Sequence, residues 1–207
     1  MAFDKKTKID GEINFSRARV GLVSFQEAKT MFVSFENAQI HQYVEFSPEA
    51  DIAGLSFRGT EFPLAESQEE ACRMAKGISE NLGDREEADY YYYREMEAKR
   101  KLKHPLKSFL EMPVQYCFGY GIYPLRVFFT WFTLILIFAL VYWLGNGIEE
   151  ANSLLECVYF SIQAAVTSGY GAYHLRSIFN IVGSLEVILG IFMWATLIAT
   201  FARKYMR

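Results

Sequence analysis

From Val127 to Leu144 the chain reads VFFTWFTLILIFALVYWL, 18 residues without a charge. From Ile178 to Phe201 it reads IFNIVGSLEVILGIFMWATLIATF, with Glu186 as the only charge. At about 1.5 Å rise per residue, either stretch crosses most of a hydrocarbon core of about 30 Å. Both are apolar all round, which fits a helix surrounded by lipid better than an amphipathic surface helix. Two transmembrane helices are therefore expected, over 127–144 and 178–201. Between them, NSLLECVYFSIQAA predicts a shorter helix over 152–165, with Asn152 or Ser153 as its N-cap, too short to span.

The pattern differs in the N-terminal half. Written in fives from Ile13 it gives INFSR, ARVGL, VSFQE, AKTMF, VSFEN and AQIHQ, with Phe15, Val20, Phe25, Thr30, Phe35 and Ile40 in third place. The pattern slips after YVEFSPE and resumes as ADIAG, LSFRG and TEFPL, placing Ile52, Phe57 and Phe62 third. Self-similarity at a fixed short period marks stacked units that bury a continuous core. These units resemble the pentapeptide-repeat family, and that resemblance implies a right-handed β-helix over residues 1–65. Short strands of an ordinary antiparallel sheet are the alternative.

The periodicity then becomes helical. Ser67 followed by Glu70 reads as a capping box, and Gly83 as the C-terminal stop. Asp84 followed by Glu87 starts REEADYYYYREMEAKRKLKH, acidic early and basic late in accord with the helix dipole, and ending before Pro105. A helical hairpin over 66–104 is expected. Its run Tyr90 to Tyr93 covers most of the helix surface and reads as packing against a partner helix or subunit. Residues 105–125 mix Leu106, Phe109, Leu110 and Val114 with Lys107 and Glu111, which suggests an interfacial linker.

Composition adds little until it is split by region. A chain that is 52% hydrophobic yet 22% charged must divide into unlike parts. A net charge of -3 removes the basic surplus that nucleic-acid binding calls for. The three cysteines, Cys72, Cys117 and Cys157, lack metal-ligand spacing and suit buried or reduced thiols. The start MAFDKKTKID has no apolar core of the kind a signal peptide needs. His41, His104 and His174 are scattered, and no nucleophile and base recur together, so an enzyme is not expected. Lys101, Lys103, Lys107 and Arg126 precede the first span, and Arg203, Lys204 and Arg207 close the second. The segment 145–177 holds Arg176 with Glu149, Glu150 and Glu156. This asymmetry places both termini in the cytoplasm of a multi-pass cell-membrane protein.

Directly after the short helix stands Thr167-Ser168-Gly169-Tyr170-Gly171. Irregular backbone at membrane depth is tolerated only where protein buries it or where it lines a water-filled cavity. Glycines permit a conformation that turns successive carbonyls to one side, and four copies around an axis close such a ladder around a cation. Helix, short helix, Thr-x-Gly-Tyr-Gly and helix together resemble the two-transmembrane pore-loop potassium channels, with YFSIQAAVTSGYGAY similar to their pore signature. The resemblance implies a homotetrameric pore module over 126–207, whose filter is 167–171. Potassium ions would sit on carbonyls of Thr167, Ser168, Gly169 and Tyr170, with no other cofactor. It also implies a gating hinge at Gly190. The stretch EEADYYYYREMEAKRK is similar to proteins that join pentapeptide repeats to a small channel module, implying a cytoplasmic domain for assembly or for an unidentified ligand or partner.

Three positions depart from that family's pattern. Ser168 replaces an aliphatic residue, Ala172 an aspartate and Val166 a threonine, so a non-selective cation channel is kept as an alternative. A membrane-anchored, non-conducting repeat scaffold is another. Glu186 needs a partner within a span, and Ser161 or Gln163 of the short helix are the candidates, against direct contact with ions. Thr196 and Thr200 share a helix face as cavity or gate residues, with helix contact the plainer reading. His174, just outside the filter, is a candidate pH site. Trp131, Trp143 and Trp194 read as packing or interface anchors. The earlier triplet Gly119-Tyr120-Gly121 has no short helix before it and reads as a surface turn.

Overall fold

The computed structural model describes residues 2–3, 8–25, 29–47, 50–151, 153–166 and 173–206. The chain forms two compact units, Met1–Met112 and Pro113–Arg207.

In the N-terminal unit, three sets of strands stack in parallel. β1 (Ala2–Phe3), β4 (Val23–Phe25) and β7 (Val44–Phe46) form one set, and β2 (Lys8–Asn14), β5 (Lys29–Ser34) and β8 (Asp51–Ser56) a second. β3 (Arg19–Val20) and β6 (Gln39–Ile40) form the third. Arg19 lies opposite Gln39, Ser24 opposite Glu45 and Phe32 opposite Gly54, offsets of 20, 21 and 22 residues. Twenty is four fives, so third-place residues of one layer fall above those of the next. The offset of 22 between β5 and β8 absorbs the two extra residues that interrupt the repeat near YVEFSPE. Phe15, Phe35 and Phe57 accordingly stack at 5.0 Å per step, and Phe25 lies on Phe46 at 5.4 Å. Val20, Phe25, Phe35, Ile40, Ile52 and Phe57 are buried, with Phe15 and Phe62 packed at the margin. The antiparallel alternative is thus corrected, because every strand pair among the described residues is parallel. A reading by periodicity cannot tell the two apart, since the side-chain alternation is the same in both.

Helix α1 (Ala65–Leu82) starts earlier than the capping signal implies. Its N-cap is Leu64, with no side-chain cap, and Ser67 is buried inside the first turn. The capping-box reading of Ser67 is therefore corrected: burial of Ala71, Cys72 and Ala75 against the strand core sets the start of this helix. Gly83 ends it at φ 75, with the amides of Gly83 and Asp84 donating to the carbonyls of Glu80 and Ser79. Asp84 then caps α2 (Arg85–Leu102) by accepting from the Glu87 amide at 3.1 Å. The tyrosine run packs, as expected, but its target is the last strand layer. The Tyr91 hydroxyl accepts from the Phe57 amide at 3.0 Å, and the Tyr90 hydroxyl accepts from the Gly59 amide at 3.1 Å. These bonds satisfy backbone donors that the end of a strand stack would otherwise leave open. Between the two helices, burial pushes the Glu95 carboxyl up, yet the bonds from Lys76 and Lys99 prevail and hold it below the usual carboxylate range. Two short helices follow, α3 (Pro105–Leu110) and α4 (Met112–Tyr116). No residue of α3 is buried, and Leu106, Phe109 and Leu110 are exposed.

The C-terminal unit is built from α5 (Pro124–Leu144), α6 (Leu154–Ala165) and α7 (Phe179–Tyr205). Pro124 opens α5, where its missing amide costs nothing and its fixed φ suits a helix. Both α5 and α7 are long and apolar enough to cross a membrane, and 28% of the apolar window of each is buried inside the chain. That leaves most of their apolar surface for lipid or for other subunits. The part that is buried grips α6: Ala139 and Tyr142 of α5 close on Cys157, Phe160 and Ala164, while Trp131 and Ile135 meet Ala165 and Met193.

Candidate functional site

The short helix α6 is built to start and stop where the sequence requires. The Ser153 hydroxyl accepts from the Glu156 amide at 3.3 Å, and the Glu156 carboxylate accepts from the Ser153 amide at 3.2 Å, a complete capping box. The other cap candidate, Asn152, lies outside the described residues. So do Thr167, Ser168, Gly169, Tyr170, Gly171 and Ala172, the whole expected filter.

The chain is held on both sides of that segment. Before it, Val166 ends α6 with its amide donating to the Ile162 carbonyl at 3.0 Å. After it, the ring of Tyr173 meets those of Phe160 and Tyr159 edge-on, with centroids at 6.2 and 6.4 Å. Leu175 pairs with Ile148 in an antiparallel bridge, flanked by Glu149 N–H to His174 O at 3.0 Å and Arg176 N–H to Gly147 O at 3.0 Å. His174 donates its amide to Glu150 Oε2 at 2.9 Å and sets Nδ1 3.0 Å from Oε1. The bond from the His174 amide is the main cause holding the exposed Glu150 carboxyl below its ordinary range.

Glu186 has the partner that a charge within a span calls for, and in fact two. The Tyr142 hydroxyl of α5 donates to its Oε2 at 2.7 Å, and the Ser161 hydroxyl of α6 lies against its Oε1. Ser161 also lies 2.9 Å from the Ile135 carbonyl. All three side chains are buried. Of the two expected partners, Ser161 is the one at Glu186; Gln163 is half-buried, two positions on and roughly 200° around the helix. Tyr142 was not foreseen. Its signal is its place on the stripe Ile135, Ala139 and Tyr142, the buried face of an otherwise uniformly apolar helix.

Gly190 sits within an unbroken helix, pressed against the end of α6. A Cβ there would fall 2.9 Å from Cα and 3.0 Å from the carbonyl carbon of Ala165, and closer still to its oxygen. The missing side chain is therefore used for a close approach between backbones. Thr196 and Thr200 line one open groove with Gly121, Phe192, Ala199 and Arg203. Their hydroxyls donate within the helix, to the Phe192 carbonyl at 2.8 Å and the Leu197 carbonyl at 2.9 Å. Trp131 and Trp194 pack edge-on at 4.8 Å, which bears out their reading as packing residues, while Trp143 is exposed. Residues Gly119–Gly121 form one tight turn with φ of 53, 53 and 75, and within it Gly119 and Tyr120 are buried.

Residues 127–207 match the model of a family described as ion channel. That match covers the stretch carrying the two long apolar helices and α6, and it supports an ion channel. No curated protein and no solved structure matches the chain.

Proposed function

We propose that the protein is a potassium-conducting channel in which four copies of residues 126–207 surround one pore. The observation that carries this reading is the placement of α6. It is a capped, 12-residue helix between two helices of spanning length, and it ends at Ala165, two residues before Thr167. In this reading Thr167, Ser168, Gly169, Tyr170 and Gly171 supply the carbonyl ladder, and the dipole of α6 directs its negative end toward the ions. The outer mouth is closed behind the ladder by the Ile148–Leu175 bridge and the Glu150–His174 pair. Thr196 and Thr200 face the inner cavity, and the α7 segment beyond Gly190 forms the gate. The N-terminal unit, a pentapeptide-repeat β-helix in this reading, lies in the cytoplasm with both termini and assembles or regulates the pore. Ser168 and Ala172 favour a second reading, a cation pore with little selectivity, because both remove side chains that would brace the ladder.

Full-length protein reconstituted in vesicles under opposed potassium and sodium gradients tests both. A reversal potential near the potassium equilibrium value supports the first reading, and one near zero supports the second. Absence of current from a protein shown to be tetrameric refutes both and leaves a membrane-anchored scaffold.

A further inference from the structure

Two of the contacts between α7 and α6 have matching spacing. Glu186 meets Ser161, and Gly190 meets Ala165, so residues four apart on one helix touch residues four apart on the other. Residues with that spacing lie one above the other on a helix face. The two contacts form a two-rung dock, and its second rung lies two residues before Thr167. Tyr142 adds a third helix to the first rung.

The first rung has a hydrogen count that a bare carboxylate does not meet. The Ser161 hydroxyl has one hydrogen but lies within bonding distance of two acceptors, the Ile135 carbonyl and Glu186 Oε1. The Tyr142 hydroxyl supplies its only hydrogen to Oε2. With three buried acceptors and two hydrogens, one oxygen is left facing another, a costly arrangement away from water. A side chain at 186 that brings one hydrogen of its own completes the set. It donates to Ser161, which passes its own hydrogen to Ile135, while the other arm accepts from Tyr142. A carboxylic acid does this, and so does a glutamine amide.

We propose that Glu186 is a positioning residue for the filter that works through this hydrogen-bond bridge, with its charge dispensable to conduction. The proposal rests on the channel reading above. In it, Glu186 ties the last turns of α6 to both spans and so fixes where residue 167 begins. It touches no ion.

Full-length wild type, Glu186→Gln, Glu186→Leu, Tyr142→Phe and Ser161→Ala are purified as tetramers and compared in vesicles for potassium flux and for the potassium-to-sodium permeability ratio. Glu186→Gln is expected to keep both within about twofold of wild type, whereas Glu186→Leu, of similar volume, loses roughly tenfold in flux or in ratio, the scale of one buried hydrogen bond. Tyr142→Phe and Ser161→Ala each lose a part of that, and they carry the test if Glu186→Leu does not assemble. A conducting wild type whose flux collapses in Glu186→Gln overturns the inference alone, since charge is then required. So do apolar variants, at position 186 or at its two partners, that keep both flux and ratio. A wild type without flux overturns the channel reading and this inference with it.

Discussion

Replacing Gly190 by alanine separates a flexible hinge from a backbone contact. Within a helix, glycine to alanine ordinarily stabilises by about 1 kcal/mol, because alanine loses less conformational freedom on folding. At a pure hinge, Gly190→Ala would therefore stiffen α7 and raise its stability. The structure sets an opposing term. The new Cβ would lie 2.9 and 3.0 Å from Ala165 backbone carbons and nearer still to its oxygen, and no side-chain rotation can relieve a clash with backbone. Overpacking of this kind costs about 1–3 kcal/mol, and a backbone obstacle belongs at the upper end. The net expectation is a loss of about 2 kcal/mol per chain, a fall in melting temperature of roughly 4–8 °C. Gly77 supplies the control, since it lies inside α1 with nothing within 4 Å of the position its Cβ would take. Gly77→Ala should gain about 1 kcal/mol. Thermal unfolding of the purified protein, followed by circular dichroism, reads both. If Gly190→Ala melts at or above the wild-type temperature with unchanged permeability, the contact reasoning is wrong.

Tyr91→Phe should cost about 1–3 kcal/mol, because it leaves the buried Phe57 amide without its acceptor while changing little volume; a melt unchanged from wild type would show that another acceptor takes the hydroxyl's place. Burial raises the Cys72 thiol from an ordinary value of 9.0 to about 12 and the Tyr91 phenol from 10.0 to about 12. Both folded values lie above the unfolded ones, so their contribution is full below pH 9 and is lost as pH rises toward 12. A urea titration series should therefore show falling stability across that window, and Cys72 should resist a maleimide until the unit unfolds. Glu150 has the opposite sign: its lowered carboxyl keeps its bonds to His174 intact above the usual glutamate range and releases them only as pH falls through the lowered value. His174→Ala tests the pH site expected there: a change in current between pH 7.5 and 5.5 that persists in that variant removes His174.

Much of this arrangement is written in local pattern. The two spans, the short helix, Ser153 and Asp84 as caps and Gly83 as a stop each depend on residues within a few positions of one another, where propensity and capping act directly. The spans run further than their uncharged cores, to Pro124 and Tyr205, because Arg126, Arg203 and Lys204 continue a helix as readily as they flank one. The fivefold repeat shows plainly in Phe15, Phe35 and Phe57, but alternation alone does not state whether strands run parallel. Ser67 misled because its local capping signal was overridden by the burial of Ala71, Cys72 and Ala75. The target of the tyrosine run was equally out of reach, since Phe57 and Gly59 lie more than thirty residues before it.

The sequence by itself determined which segments are helices of spanning length, where the short helix between them begins and ends, and that Glu186 required a polar partner. Those are consequences of hydrophobicity, length and desolvation, which act on any chain of this composition. The tertiary structure decided the partner. Tyr142 and Ser161 are 44 and 25 residues from Glu186, and they reach it because α5 and α7 close on α6 from two sides. It also decided what lies against Gly190. A glycine in a helix offers both freedom and thinness, and only the carbonyl of Ala165 beside it shows that thinness is used.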